Sequence, residues 1–123
     1  MRTIDDELAA KRAEGKPRLD LVPYSVIEAM ARQMEYGATK HGLHDWRKGL
    51  PWSERAGSIL RHFYAWLEGE DIDPESGRPH LDAVFTQVGM LIEYRETHPE
   101  MDDRWNRQQG ALRGGQAVDE SGI

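Results

Sequence analysis

The chain has 123 residues, one domain's worth, with 16 Lys and Arg against 22 Asp and Glu and a formal net charge of -6. No apolar run reaches the ~20 residues of a membrane helix, no apolar signal core follows the N-terminus, and without cysteine there are no disulfides, Cys-ligated zinc or thiolate nucleophile. The acidic balance argues against stable nucleic-acid binding, and 38% hydrophobic residues make a thin monomeric core, so a cytoplasmic homo-oligomer is expected.

Residues 1–15 read as a charged arm, either mobile or forming a short helix over Asp5–Ala13. The stretch KPRLDLVPYS, with Pro17 and Pro23 around Leu19, Leu21 and Val22, predicts an extended, partly buried lead-in. Ser25 and Glu28 have capping-box spacing and predict the start of the first long helix. Val26, Ile27, Met30, Ala31, Met34 and Ala38 supply its apolar stripe, and Gly37 with the following Lys-His-Gly predicts its end.

The loop KHGLHDWRKGLPW concentrates basic residues, two histidines and two tryptophans between glycines and a proline. Tryptophan in a loop plugs a core or lines a pocket. Ser53 predicts the cap of a second helix to about Glu68, with Ala56, Ile59, Leu60, Phe63 and Leu67 on its apolar face. Arg55, Ser58, Arg61 and His62 lie away from that stripe. After the turn GEDIDPESGRP, a third helix is expected from about His80 to Arg95. Its buried face is read as Leu81, Val84, Phe85, Val88, Leu91 and Ile92, with His80, Gln87 and Tyr94 on a second face. Residues 16–98 form the expected helical catalytic domain, and 99–123 a polar, flexible tail anchored at Trp105. The fold class is all-α: a small helical bundle completed by oligomerisation.

Two charge clusters carry the chemistry. Glu68, Glu70, Asp71, Asp73 and Glu75 put five carboxylates into eight residues, a density relieved by a cation or by full exposure. With Glu35, His80 and Asp82 nearby, the ligand set is oxygen-rich and suits Mg²⁺, or Mn²⁺. An EF-hand register fails, because its glycine position holds Ser76 and Pro79 interrupts the loop. Opposite the acids stand Lys40, His41, Trp46, Arg47 and Lys48, with Arg61 and His62. Such groups neutralise phosphates and stack on a base, and a metal beside them is what phosphate transfer requires. Trp46 as a core plug, Lys48 as a solvated lysine and Arg61 as a partner of the acidic turn are the bland alternatives. No P-loop and no nucleophile elbow are present.

The strings KPRLDLVP, EYGATKHGLHDWRKG and LRHFYAWLEGEDIDPESGRPHLD resemble the phage and bacterial dATP/dGTP pyrophosphohydrolase-like family, grouped with the all-α MazG-type enzymes. The resemblance spans about Lys16 to Tyr94 and implies metal-dependent cleavage of dATP or dGTP between the α and β phosphates. It also implies dimers or tetramers, with sites near subunit contacts. By position, the family's basic lead-in falls on Lys16 and Arg18, its aromatic loop on Lys40, Asp45, Trp46 and Lys48, and its Arg-His pair on Arg61 and His62. Its Gly-Glu falls on Gly69 and Glu70, and its later acid and histidine on Asp73 and His80. The chain departs from the pattern at His41, Asp45, Ala83 and Gln87, and lacks the standard paired ExxE and ExxD signatures.

The resulting expectation has Glu70, His62 and Asp73 as catalytic residues. Lys16, Lys40, Trp46, Lys48 and Arg61 bind substrate, and Glu35, Glu70, Asp73, His80 and Asp82 hold the metal. The substrate is a purine deoxynucleoside triphosphate. The competing expectation is a non-catalytic helical interaction module.

Overall fold

The computed structural model describes residues 1–106 and 110–114, apart from the side chain of Ala13. Four helices dominate: α1 (Ile4–Ala13), α2 (Tyr24–His41), α3 (Trp52–Leu67) and α4 (His80–Thr97). Short 3₁₀ turns lie at Leu19–Leu21, Asp45–Lys48 and Pro99–Met101, and a two-stranded hairpin pairs β1 (Trp105–Asn106) with β2 (Ala111–Leu112). The all-α expectation holds. Of the expected tail, residues 107–109 and 115–123 lie outside the described residues. No helix among the described residues is long and apolar enough to cross a membrane.

α1 starts from a complete capping box, in which the Thr3 hydroxyl accepts from the Asp6 N–H and the Asp6 carboxylate accepts from the Thr3 N–H. The three long helices begin differently. Each has a proline at its N-cap, Pro23, Pro51 and Pro79, in extended backbone and with no side-chain cap. Proline's fixed φ suits the approach to a helix, and its missing N–H costs nothing there. This corrects the expected caps. Ser25 and Ser53 lie one turn-position inside their helices, at the second helical residue. Ser53 is instead held from outside: its N–H donates to Asp103 Oδ1 at 2.8 Å and its hydroxyl to Oδ2 at 2.5 Å. The start of α3 is thus capped by a carboxylate fifty residues later in the chain.

Of the expected stop signals, Gly37 lies inside the first long helix, and the Lys40-His41-Gly42 stretch ends it as expected. α2 continues to His41 and stops at Gly42, whose φ of +98° most residues avoid. The lead-in is also less buried than expected, with Leu19 78% and Leu21 71% exposed around the 3₁₀ turn.

α4 packs against both α3 and α2. Its buried residues are His80, Ala83, Thr86, Gln87 and Tyr94. The expected buried stripe is largely open: Leu81, Phe85, Val88 and Ile92 are exposed in the single protomer, and Val84 and Leu91 are half-buried. Ile27 on α2 and Leu60, Phe63 and Leu67 on α3 are exposed as well. Helical period identifies a coherent apolar face but not whether its cover comes from the same chain.

Candidate active site

The acidic turn between α3 and α4 is built by its own hydrogen bonds. Gly69, at φ +103°, redirects the chain after α3. Ile72 and Pro79 form an isolated antiparallel bridge. Asp73 accepts the Gly77 N–H on its carbonyl, and its own N–H donates to the Arg78 carbonyl. Its carboxylate accepts from the Glu75 N–H at 2.9 Å and from the Ser76 hydroxyl at 3.3 Å. These bonds fix Asp73 beside the first turn of α4.

Three further acids find separate partners, while Glu68 and Asp71 stand exposed. Asp82 is bound to Arg78 at 2.5 Å, and Arg78 also donates to Gln33 Oε1 at 3.4 Å. Glu75 meets Lys40 at 3.5 Å. Glu70 accepts from His80 Nε2 at 2.7 Å. The crowded carboxylates are therefore relieved largely by the protein's own donors.

His62, near the end of α3, and His80, the first residue of α4, bring their Nδ1 atoms to 2.8 Å. With Asp73 they form a cluster whose ligand atoms all lie within 4.8 Å of one another. Glu70 takes the Nε2–H of His80, which leaves the lone pair of His80 on Nδ1, facing His62 and Asp73. Burial lowers the pKa of His62; Asp73 opposes that shift, while His80 and Arg61 add to it. His62 is thus favoured in the neutral form that can bind a cation.

This donor set fits a divalent metal: two imidazoles, one carboxylate and an outer carboxylate that orients a ring. It is richer in nitrogen than the expected oxygen-rich set. Imidazole suits transition metals, whereas Mg²⁺ prefers oxygen ligands.

The cluster opens into a cleft of about 1290 Å³ between α2, α3, the Asp45–Lys48 turn and α4. Glu35, Lys40, Trp46 and Arg61 line it together with His62, Asp73 and His80. The other predicted site residues lie elsewhere. Glu70 stands behind His80, Asp82 is tied to Arg78, and Lys48 is 81% exposed at its side chain and pairs with Asp45 at 3.0 Å. Lys16 is exposed outside the cleft lining.

The far end of the cleft is held by residues that the sequence reading did not assign to the site. Tyr94, with no exposed surface, donates to the Trp46 carbonyl at 2.6 Å and accepts from Arg55 Nη2 at 3.2 Å. Its ring lies 6.1 Å from that of Trp46, and the Arg47 guanidinium sits 4.6 Å from the Trp46 ring. His98 Nε2 donates to the Arg47 carbonyl at 2.7 Å, and its Nδ1 meets Glu100 at 3.0 Å. Gly49 closes the turn at φ +93°, where a Cβ would stand 2.6 Å from Met101 Sδ. Trp46 is thereby pinned by its backbone while its ring borders the cleft. Of these residues, Tyr94 left a sequence signal by sharing a face with His80 and Gln87, and Arg55 by lying off the apolar stripe of α3 beside Arg61 and His62.

No curated protein and no solved structure matches the chain significantly. The family model described as dATP/dGTP diphosphohydrolase, N-terminal, matches residues 6–104, and the chain belongs to that family.

Proposed function

We propose that the protein is a metal-dependent nucleotide pyrophosphohydrolase that converts dATP and dGTP to the monophosphate and pyrophosphate. The observation that carries this reading is the His62–Asp73–His80 cluster in the wall of a cleft that also presents Lys40, Arg61 and Trp46. Family membership supplies the nucleotide class.

Water adds at the α phosphorus, the bond from that phosphorus to the bridging oxygen breaks, and pyrophosphate leaves. His62, Asp73 and His80 would hold the metal, and their donor set favours Mn²⁺ over Mg²⁺. Bound there, a divalent ion neutralises phosphate charge and acidifies a water. Lys40 and Arg61 bind phosphate oxygens, and Glu70 keeps the lone pair of His80 directed at the cluster. Glu35 enters the same cleft from α2 as a further carboxylate. Trp46, anchored through Tyr94, borders the base-binding end. A second copy of the chain covers the exposed Leu81, Phe85, Val88 and Ile92 face, giving a dimer or tetramer.

The test uses metal-stripped protein with each of the four deoxynucleoside triphosphates, without metal and with Mg²⁺ or Mn²⁺. Release of monophosphate with pyrophosphate from dATP and dGTP is expected, fastest with Mn²⁺. Inert nucleotides under every metal would overturn the reading, and release of a diphosphate with phosphate would relocate the cleaved bond.

A further inference from the structure

Four buried side-chain polar atoms have no hydrogen-bond partner among the described residues: Trp52 Nε1, Arg55 Nε, Thr86 Oγ1 and Gln87 Oε1. The last three belong to residues that line the cleft. Gln87 is only 9% exposed, and an unpaired buried carbonyl oxygen of this kind is costly unless something completes it. The metal cluster does not use Gln87, and neither does the Tyr94–Trp46–Arg55 contact.

Gln87 lies seven residues after His80 on the same buried face of α4, which is about 10 Å along the helix axis. That separation suits a nucleotide whose α phosphate is at the cluster and whose base points toward the Trp46 end. We propose that Gln87 is the residue that reads the purine base, pairing its carboxamide with the base's hydrogen-bonding edge. The proposal rests on the nucleotide reading above.

Its chemistry accounts for one site accepting two purines. Adenine presents a donor at its 6-amino group beside the N1 acceptor. Guanine presents the reverse, the O6 acceptor beside the N1–H donor. A carboxamide carries one acceptor and two donors, and its terminal torsion is broad and nearly two-fold. A half-turn of that torsion therefore satisfies either base. The pyrimidines show similar edges on a smaller ring, which stops short of a residue two helical turns from the phosphate end.

The test compares wild type, Gln87→Met and Gln87→Glu at pH 8, with folding checked by circular dichroism. Turnover is measured with dATP, dGTP, dCTP and dTTP, and equilibrium binding with their α,β-methylene analogues. Gln87→Met keeps the volume and removes both hydrogen-bonding groups. It should raise KM for dATP and dGTP alike by about tenfold, with kcat changed far less. Gln87→Glu offers only acceptors, which suit the guanine N1–H and 2-amino group and oppose adenine N1. The dGTP-to-dATP ratio should rise at least about tenfold in both kcat/KM and analogue affinity. Folded variants that keep the wild-type ratios across all four nucleotides would overturn the assignment while leaving the pyrophosphohydrolase reading intact. A wild type that binds the purine analogues without turnover, and whose preference shifts in Gln87→Glu, would support Gln87 and sink the hydrolase reading. A wild type that binds none of the analogues would overturn both.

Discussion

One face of α4 carries His80, Thr86, Gln87 and Tyr94 and is buried, while the other carries Leu81, Phe85, Val88 and Ile92, each between 40% and 51% exposed. A helix in a self-sufficient domain ordinarily has the opposite arrangement. Here the polar face is turned inward, where its imidazole and phenol meet partners inside the protomer. It brings an imidazole to the acidic turn, a phenol to the Trp46 carbonyl and a carboxamide to the cleft. The apolar face remains open because three long helices do not surround it. Hydrophobicity locates this helix, but only the two ends of its inward face, His80 and Tyr94, are tied by side-chain hydrogen bonds, while Thr86 Oγ1 and Gln87 Oε1 between them have none among the described residues.

The largest effects are expected beside the first turn of α4. Asp73→Asn should lower pyrophosphate release by more than about 100-fold and weaken Mn²⁺ binding measured by calorimetry, beyond the loss typical of an outer partner. Glu70→Gln touches only the outer side of His80 and should cost about 10–100-fold. Equal losses for the two would place Glu70 in the inner set.

Tyr94→Phe probes the buried face at its other end. It removes the donor to the Trp46 carbonyl and the acceptor for Arg55, and should lower unfolding free energy by about 1–3 kcal/mol in a urea titration. A variant as stable as wild type would show that the Asp45–Lys48 turn holds itself.

The two ends should also respond oppositely to pH. The Arg47 carbonyl, and then Glu100, raise the pKa of His98, whereas burial lowers that of His62. The His98 contribution to stability is fully present below its unfolded value of about 6.5 and is lost as pH rises through its raised folded value. The His62 contribution is present above about 6.5 and is lost as pH falls through its lowered folded value. NMR titration of the metal-free protein should place the two imidazoles on opposite sides of that reference. Both on one side would remove the contrast.

The exposed face should matter least to the single protomer. Ile92→Glu, at a position 51% exposed, should change the stability of the helical fold by about 0.5 kcal/mol or less. Light scattering should nevertheless show a smaller assembly than wild type. Unchanged mass with intact helices would mean that a second copy does not use this face.

By itself, the sequence determined the helical class, the approximate span of every long helix and the two charge clusters. Those features follow from local periodicity, turn residues and composition, which act over a few residues. The resemblance pointed to His62, Asp73 and His80 before any geometry was available. Only tertiary structure decided that these three meet, that Glu70 stands behind His80 and that Asp82 belongs to Arg78. It also decided that Asp103 caps α3 and that Tyr94 holds the Trp46 turn. Such choices depend on which donor reaches which acceptor across tens of residues, and spacing along the chain carries no record of that. Much of the 38% hydrophobic content lies on faces that the single protomer leaves open.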